Sequence, residues 1–197
     1  MRNFVEKQIL ELGLSFSKVN YNTMGALRLS LVSCAKRKST IILSAVGKNT
    51  GIAQKFVSSL ISASISARFL HSNDALHGEM GMVKPGDVVV MVSKSGKTEE
   101  ILSLASYLIK IPHLEIWLLT CSPDAVKDSI FSNILYIPMD NEGDPWNLLP
   151  NNSSTIFLIT LQALFLALLK DLKITQSLLT TNHPGGVIGK ILLKQNK

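Results

Sequence analysis

Asp87-Val88-Val89-Val90-Met91-Val92-Ser93-Lys94-Ser95-Gly96-Lys97-Thr98-Glu99-Glu100 decides the fold. The run from Asp87 to Val92 is short, apolar and rich in β-branched residues, the pattern of a strand covered on both faces. Ile101, Leu104, Ala105 and Leu108 follow at helical spacing. Ser93, Ser95, Gly96 and Thr98 therefore stand where a strand turns into a helix. Such a turn presents free backbone N–H groups and the positive end of a helix dipole. With three hydroxyls added, it is a candidate cradle for a phosphate group.

Four more stretches read as strands: 40–45, 67–71, 115–120 and 133–137. Helical segments separate them, which predicts a parallel sheet with helices on both faces. Right-handed crossovers leave a doubly wound α/β fold, an αβα sandwich of five parallel strands in the order 2-1-3-4-5. Ligands in such sheets bind beyond the carboxyl ends of the strands. Gly47-Lys48-Asn49-Thr50 and the Ser93 turn both fall there, after neighbouring strands. Residues 4–35 read as one long helix or two consecutive ones, with Gly13 and Gly25 as breakers.

The 197 residues suit one domain able to bury its own core. Apolar residues make up 46% and charged residues 17%, which argues against disorder and for surface hidden in an oligomer. The net charge of +6 is scattered apart from Lys36-Arg37-Lys38, read as a helix end, and no basic face with interleaved aromatics suggests nucleic acid. A small anionic substrate accounts for the balance. Cys34 and Cys121 do not make a disulfide framework or a zinc site. The N-terminus lacks a signal-peptide core. Ile156 to Leu169, 14 residues, falls short of the ~20 that span a bilayer and reads as a buried helix. These features predict a cytoplasmic protein without a membrane partner. Asp140-Asn141-Glu142-Gly143-Asp144 lacks the spacing of a calcium loop and reads as a polar loop before Trp146, so no metal site is expected.

Four segments share one resemblance. They are Gly47-Lys48-Asn49, the stretch from His71 to Val83 with Ala75-Leu76-His77-Gly78-Glu79-Met80-Gly81-Met82, the Ser93 turn, and Thr181-Asn182-His183-Pro184-Gly185-Gly186. Together they resemble the sugar-isomerase (SIS) domain, and more narrowly the arabinose-5-phosphate isomerase family. The likeness runs from about 38 to 190, preceded by a helical segment over 1–37. It implies an aldose–ketose isomerase that interconverts D-ribulose 5-phosphate and D-arabinose 5-phosphate through an enediol. The product would supply an eight-carbon acid, 3-deoxy-D-manno-octulosonate, for lipopolysaccharide or capsule. No cofactor is implied. The expected assembly is a homotetramer with active sites at subunit interfaces. Many members continue into cystathionine-β-synthase-type (CBS) repeats, and a single domain over 1–197 without them is expected here.

Proton transfer between C1 and C2 needs a base beside the carbon acid and donors for the developing oxyanion. His183 is the first candidate, because an imidazole titrates near neutral pH and Asn-His-Pro-Gly-Gly makes an exposed turn. The resemblance implies that it reaches a neighbouring subunit's pocket. Glu100, in the first turn after the cradle, is the second. Glu99 is its rival, and either carboxylate also suits a helix N-terminus. The family's acidic position falls on Glu100. His77 is implied to line the pocket, and Lys48 to hold a hydroxyl, a sugar oxygen or the phosphate. Gly47, Asn49, Ser93, Ser95 and Thr98 complete the expected binding set. His71 and His113 read as packed or surface residues. Asn151-Asn152-Ser153-Ser154-Thr155 corresponds to a family segment bordering the sugar, with Pro150 and Ser-Ser-Thr matching and Asn151 and Asn152 departing. Asn49, Thr50 and Lys97 also depart from the usual pattern. These departures leave open the same chemistry on a hexulose 6-phosphate or a sedoheptulose 7-phosphate. A sugar-phosphate-binding regulator without catalysis is the alternative from another class.

Overall fold

In a computed structural model that describes residues 1–127 and 129–195, the five strands are β1 (Ile41–Ala45), β2 (Ala67–Phe69), β3 (Val88–Val92), β4 (Glu115–Thr120) and β5 (Asn133–Tyr136). They form one sheet in the order β2-β1-β3-β4-β5, every neighbouring pair parallel. All residues of β1 and β3 are buried, as a strand covered on two faces requires.

Alternation along these strands feeds two cores. Ile41, Leu43 and Ala45 of β1 and Val88, Val90 and Val92 of β3 pack with α2 (Tyr21–Lys36), α3 (Asn49–Ser62) and α7 (Asn152–Asp171). Ile42, Val89 and Met91 face the other way, onto α5 (Glu99–Leu108) with Ile101, Leu104 and Leu108. Each such side chain contributes roughly 1.5–3 kcal/mol by leaving water. At the amino edge, buried Asp87 accepts from the amides of Thr40 (2.8 Å) and Lys84 (2.9 Å), fixing the start of β3.

The first 36 residues form two helices, α1 (Arg2–Ser17) and α2, and the break is not at a glycine. Asn20 makes it: its side chain accepts from the amides of Asn22 and Thr23, capping α2. Gly13 and Gly25 lie inside the helices. Helix α7 is also longer than its apolar run, 20 residues, long and apolar enough by composition to cross a membrane. Length therefore does not settle its place. Packing does: Ile156, Phe157, Leu161, Leu164 and Leu168 are buried in the first core.

Short α4 (Ser72–Ala75) and a 3-10 turn (Glu79–Met82) connect β2 to β3, and α6 (Asp124–Lys127) follows β4. Helices α8 (Gln176–Asn182) and α9 (Gly186–Gln195) close the described chain. Helix α1 leaves Phe4 at 75% and Ile9 at 64% exposure, and Trp146 and Leu148 of the 140–151 loop reach 69% and 73%.

Candidate active site

Three segments meet the carboxyl edge of the sheet because each follows the end of a strand or opens the helix after it. Gly47-Lys48-Asn49 leaves β1, the Ser93–Glu100 turn leaves β3, and α7 begins there after the loop from β5. His77 lies in the turn after α4, beyond the end of β2, and is exposed.

Gly47 adopts φ +60°, which lets the chain reverse at once into α3. Lys48 at the start of α3 is exposed and has no carboxylate partner among the described residues. The Oδ1 atom of Asn49 is buried, and so is the Oγ atom of Ser154 in the first turn of α7; neither has a hydrogen-bond partner among the described residues.

The Ser93 turn is held from within. Ser93 is buried; its hydroxyl accepts from the Gly96 amide (3.1 Å) and pairs with the Thr98 hydroxyl (2.8 Å). Those two hydroxyls shape the turn. Ser95 is exposed, and its Oγ accepts from the Lys97 amide. Gly96 has φ +65°, and a Cβ there would stand 2.4 Å from the Ala125 Cβ, so no side chain fits. Thr98 is the N-cap residue of α5 without a side-chain cap, which leaves the amides of the helix's first turn free to bind an anion. Glu99 is exposed and Glu100 half-buried in that turn. Lys97 pairs with Asp124 at the surface (3.3 Å).

Sequence reasoning missed Glu142. It is 1% exposed, beneath the polar loop. Its Oε1 accepts from Lys94 Nζ (2.8 Å) and the Ser153 hydroxyl (2.7 Å). Oε2 accepts from the amides of Asn151 (3.0 Å) and Ser153 (2.9 Å), so the carboxylate serves as the anion at the N-terminus of α7. Burial alone would raise its pKa; the hydrogen bonds from Lys94 and Ser153, with the Lys94 charge, outweigh that and hold the carboxyl below its usual range. No local spacing reveals this role, since the acid stands nine residues before the first amide that it receives. Only the need of α7 for an acceptor at its start pointed to such a group.

Cys121, at the end of β4, is buried. Burial and the Glu142 charge push its thiol up to about 12, against the Lys94 charge, so it is a packed protonated thiol at neutral pH. Cys34 is likewise buried, and its thiol is raised to about 11, chiefly by burial. His71 caps α4 by accepting from the Asn73 amide and meets Phe69 edge-on; His113 is exposed at φ +59°. Among the described residues no group of three His, Cys, Asp or Glu side chains is placed to hold a metal ion.

His183 stands elsewhere. Asn182 donates to the Ser62 carbonyl (3.0 Å) and the Ser64 hydroxyl (2.6 Å), anchoring the tail beside the C-terminus of α3. Helix α3 has 14 residues and so carries the chain roughly 21 Å from the carboxyl edge. Ser66 beyond it receives the amide of Ile41, the first residue of β1, which marks the amino edge. His183 Nδ1 lies 2.8 Å from the Leu179 carbonyl oxygen; a carbonyl only accepts, so Nδ1 donates, and in the neutral imidazole Nε2 carries the lone pair. Gly189 packs so closely that a Cβ would stand 2.3 Å from the His183 carbonyl oxygen. The imidazole is thus tied to its own helix, and within one chain it is not beside Glu100.

A family model, the SIS domain, matches residues 34–167. Arabinose 5-phosphate isomerase KdsD of Francisella tularensis is 34% identical over 160 residues, 80% of this chain and 48% of the relative. KdsD of Escherichia coli K12 is 32% identical over 160 residues, 81% and 48%. The chain spans about half the length of these curated relatives. A solved structure of the E. coli CFT073 protein c3406 in complex with arabinose 5-phosphate superposes with a TM-score of 0.82 at 28% identity, covering 93% of this chain and 95% of that one.

Proposed function

The chain belongs to the SIS-domain family, and from that premise we propose that it is an aldose–ketose isomerase interconverting D-ribulose 5-phosphate and D-arabinose 5-phosphate. The observation that carries this reading is the arabinose 5-phosphate complex of a structural neighbour aligned over almost the whole of both chains. The site geometry supports it. Free amides of α5 and the Ser95 hydroxyl bind the phosphate. The open-chain sugar then extends toward Lys48, Asn49 and the start of α7. There its hydroxyls satisfy Asn49 Oδ1 and Ser154 Oγ, whose unmade bonds otherwise cost about 1–3 kcal/mol each.

Glu100 takes the proton from C1 of the ketose. The electron pair forms the C1–C2 double bond as charge moves onto the C2 oxygen, and Nε2 of neutral His183 takes the proton of the C1 hydroxyl and delivers it to the C2 oxygen. Collapse of the charge left on the C1 oxygen to a carbonyl, with return of the carbon-bound proton from Glu100 to C2, yields the aldose. His183 Nε2 is the free ring atom for the oxygen-side exchange. Since His183 of the same chain lies at the far edge, it comes from a second copy. The exposed apolar side chains of α1 and the 140–151 loop supply surface for that assembly, read as a homotetramer. The product would feed 3-deoxy-D-manno-octulosonate synthesis in the cytoplasm.

The test is incubation with D-arabinose 5-phosphate and assay of ribulose 5-phosphate, with hexulose 6-phosphate and sedoheptulose 7-phosphate in parallel. Turnover of the pentose phosphate supports the assignment. Turnover of another sugar alone keeps the chemistry and changes the substrate, and tight binding with no turnover makes the chain a sugar-phosphate sensor.

A further inference from the structure

Lys94 ties three elements together at the carboxyl edge. Its carbonyl oxygen accepts from the Thr120 hydroxyl (2.9 Å) and the Cys121 amide (3.2 Å), which fixes its backbone on the end of β4. Its side chain crosses to Glu142, whose other acceptor sites hold the first amides of α7. The Asn152 amide also donates to the Glu142 carbonyl, so this residue closes the loop that leads into α7. Two helix N-termini, those of α5 and α7, are therefore set relative to one another through one ion pair.

The charges matter as well as the geometry. The Glu142 carboxylate is fully buried, while Lys94 is 37% exposed. Without the ammonium, that carboxylate would present an uncompensated negative charge beside a turn that must receive an anion. With it, the pair is neutral and the positive end of α5 acts on the ligand alone.

We propose that Lys94 is a positioning residue: through Glu142 it holds the Ser93–Thr98 turn and the start of α7 in one register, and so sets the affinity of that turn for a phosphate ester. This rests on the sugar-phosphate reading above. The ion pair itself does no chemistry. Its contribution falls on binding, because a misplaced or negatively biased turn weakens the phosphate anchor in the ground state and the transition state alike.

The experiment compares wild type with Lys94→Met, Lys94→Gln and Lys94→Arg. Calorimetric titration with D-arabinose 5-phosphate and with inorganic phosphate gives Kd, steady-state assays give KM and kcat, and hydrogen exchange reads the Ser153 amide. K94M is expected to raise Kd and KM about tenfold, change kcat less than about threefold, and weaken protection at Ser153. K94R should restore both. K94Q, which keeps a hydrogen bond to Glu142 without the charge, should retain the protection while losing affinity, and it carries the test if K94M does not fold. Wild-type binding with unaltered affinity in K94M and K94Q overturns the proposal, as does a loss confined to kcat. No binding of either ligand by wild type overturns the sugar-phosphate reading itself and this proposal with it.

Discussion

Glu100 and His183 of one chain stand at opposite edges of the central sheet. Glu100 opens α5 directly beyond the carboxyl end of β3, and His183 follows an asparagine bonded to Ser62 and Ser64 where α3 ends. A proton relay cannot bridge roughly 20 Å, the length of α3. If the two groups act on one sugar, the second comes from another copy, and catalysis depends on assembly.

The Ser95 hydroxyl is the exposed hydroxyl of the Ser93–Thr98 turn, whereas Ser93 and Thr98 hold each other. Ser95→Asp places a carboxylate where the phosphate charge belongs. Steady-state assays should show KM rising steeply, at least tenfold, while the melting temperature moves little. An unchanged KM removes Ser95 from the anchor.

Gly96→Ala meets two costs. The left-handed backbone adds about 1–2 kcal/mol and the clash with Ala125 about 1–3 kcal/mol of overpacking. Urea denaturation should place the variant several kcal/mol below wild type in stability and show loss of phosphate binding. A variant as stable as wild type would mean that the turn relaxes away from Ala125 and β4.

Glu142 links stability to acid. Its folded pKa is depressed, so the unfolded chain binds the proton more readily and stability rises with pH across that interval. The contribution is complete above the unfolded carboxylate value of about 4.3 and disappears as pH falls through the lower folded value. Thermal melts from pH 7 to pH 3 should fall mainly below about pH 5. Glu142→Gln should flatten that fall while costing roughly 1–3 kcal/mol at pH 7, because a glutamine has one accepting oxygen and would set its NH2 donor against the donors that the second carboxylate oxygen receives. An acid profile identical to wild type would place the linkage on other carboxylates.

The sheet order was legible because the central strands β1 and β3 are runs of β-branched and other apolar residues and the longer crossovers show helical spacing, as from Val88 through Leu108, while β2, Ala67-Arg68-Phe69, is a much weaker signal. The Ser93 turn was legible for the same reason. What could not be read locally is long-range. The pair Lys94–Glu142 joins residues 48 apart whose partners are fixed only by the crossover of β4 and β5. The distance of His183 from Glu100 follows from how far α7 carries the chain back, and Asn182 gives no sign in sequence of its bond to Ser62. The break between α1 and α2 was legible in principle, since Asn20 is a good cap, but in sequence Gly13 and Gly25 are the more conspicuous helix breakers.

The most direct measurement mixes two inactive oligomers, Glu100→Ala and His183→Ala, and lets subunits exchange, with exchange verified by mass-labelled chains. Each variant alone should lose about 10²–10⁴ in kcat on D-arabinose 5-phosphate. If the site is shared, hybrids contain pockets with an intact Glu100 from one chain and an intact His183 from another, and activity should return toward roughly one quarter of wild type for random dimeric pairing across a symmetric interface. Verified exchange with no recovered activity would contradict the account, because it would put both residues in one chain's pocket or remove one of them from the chemistry.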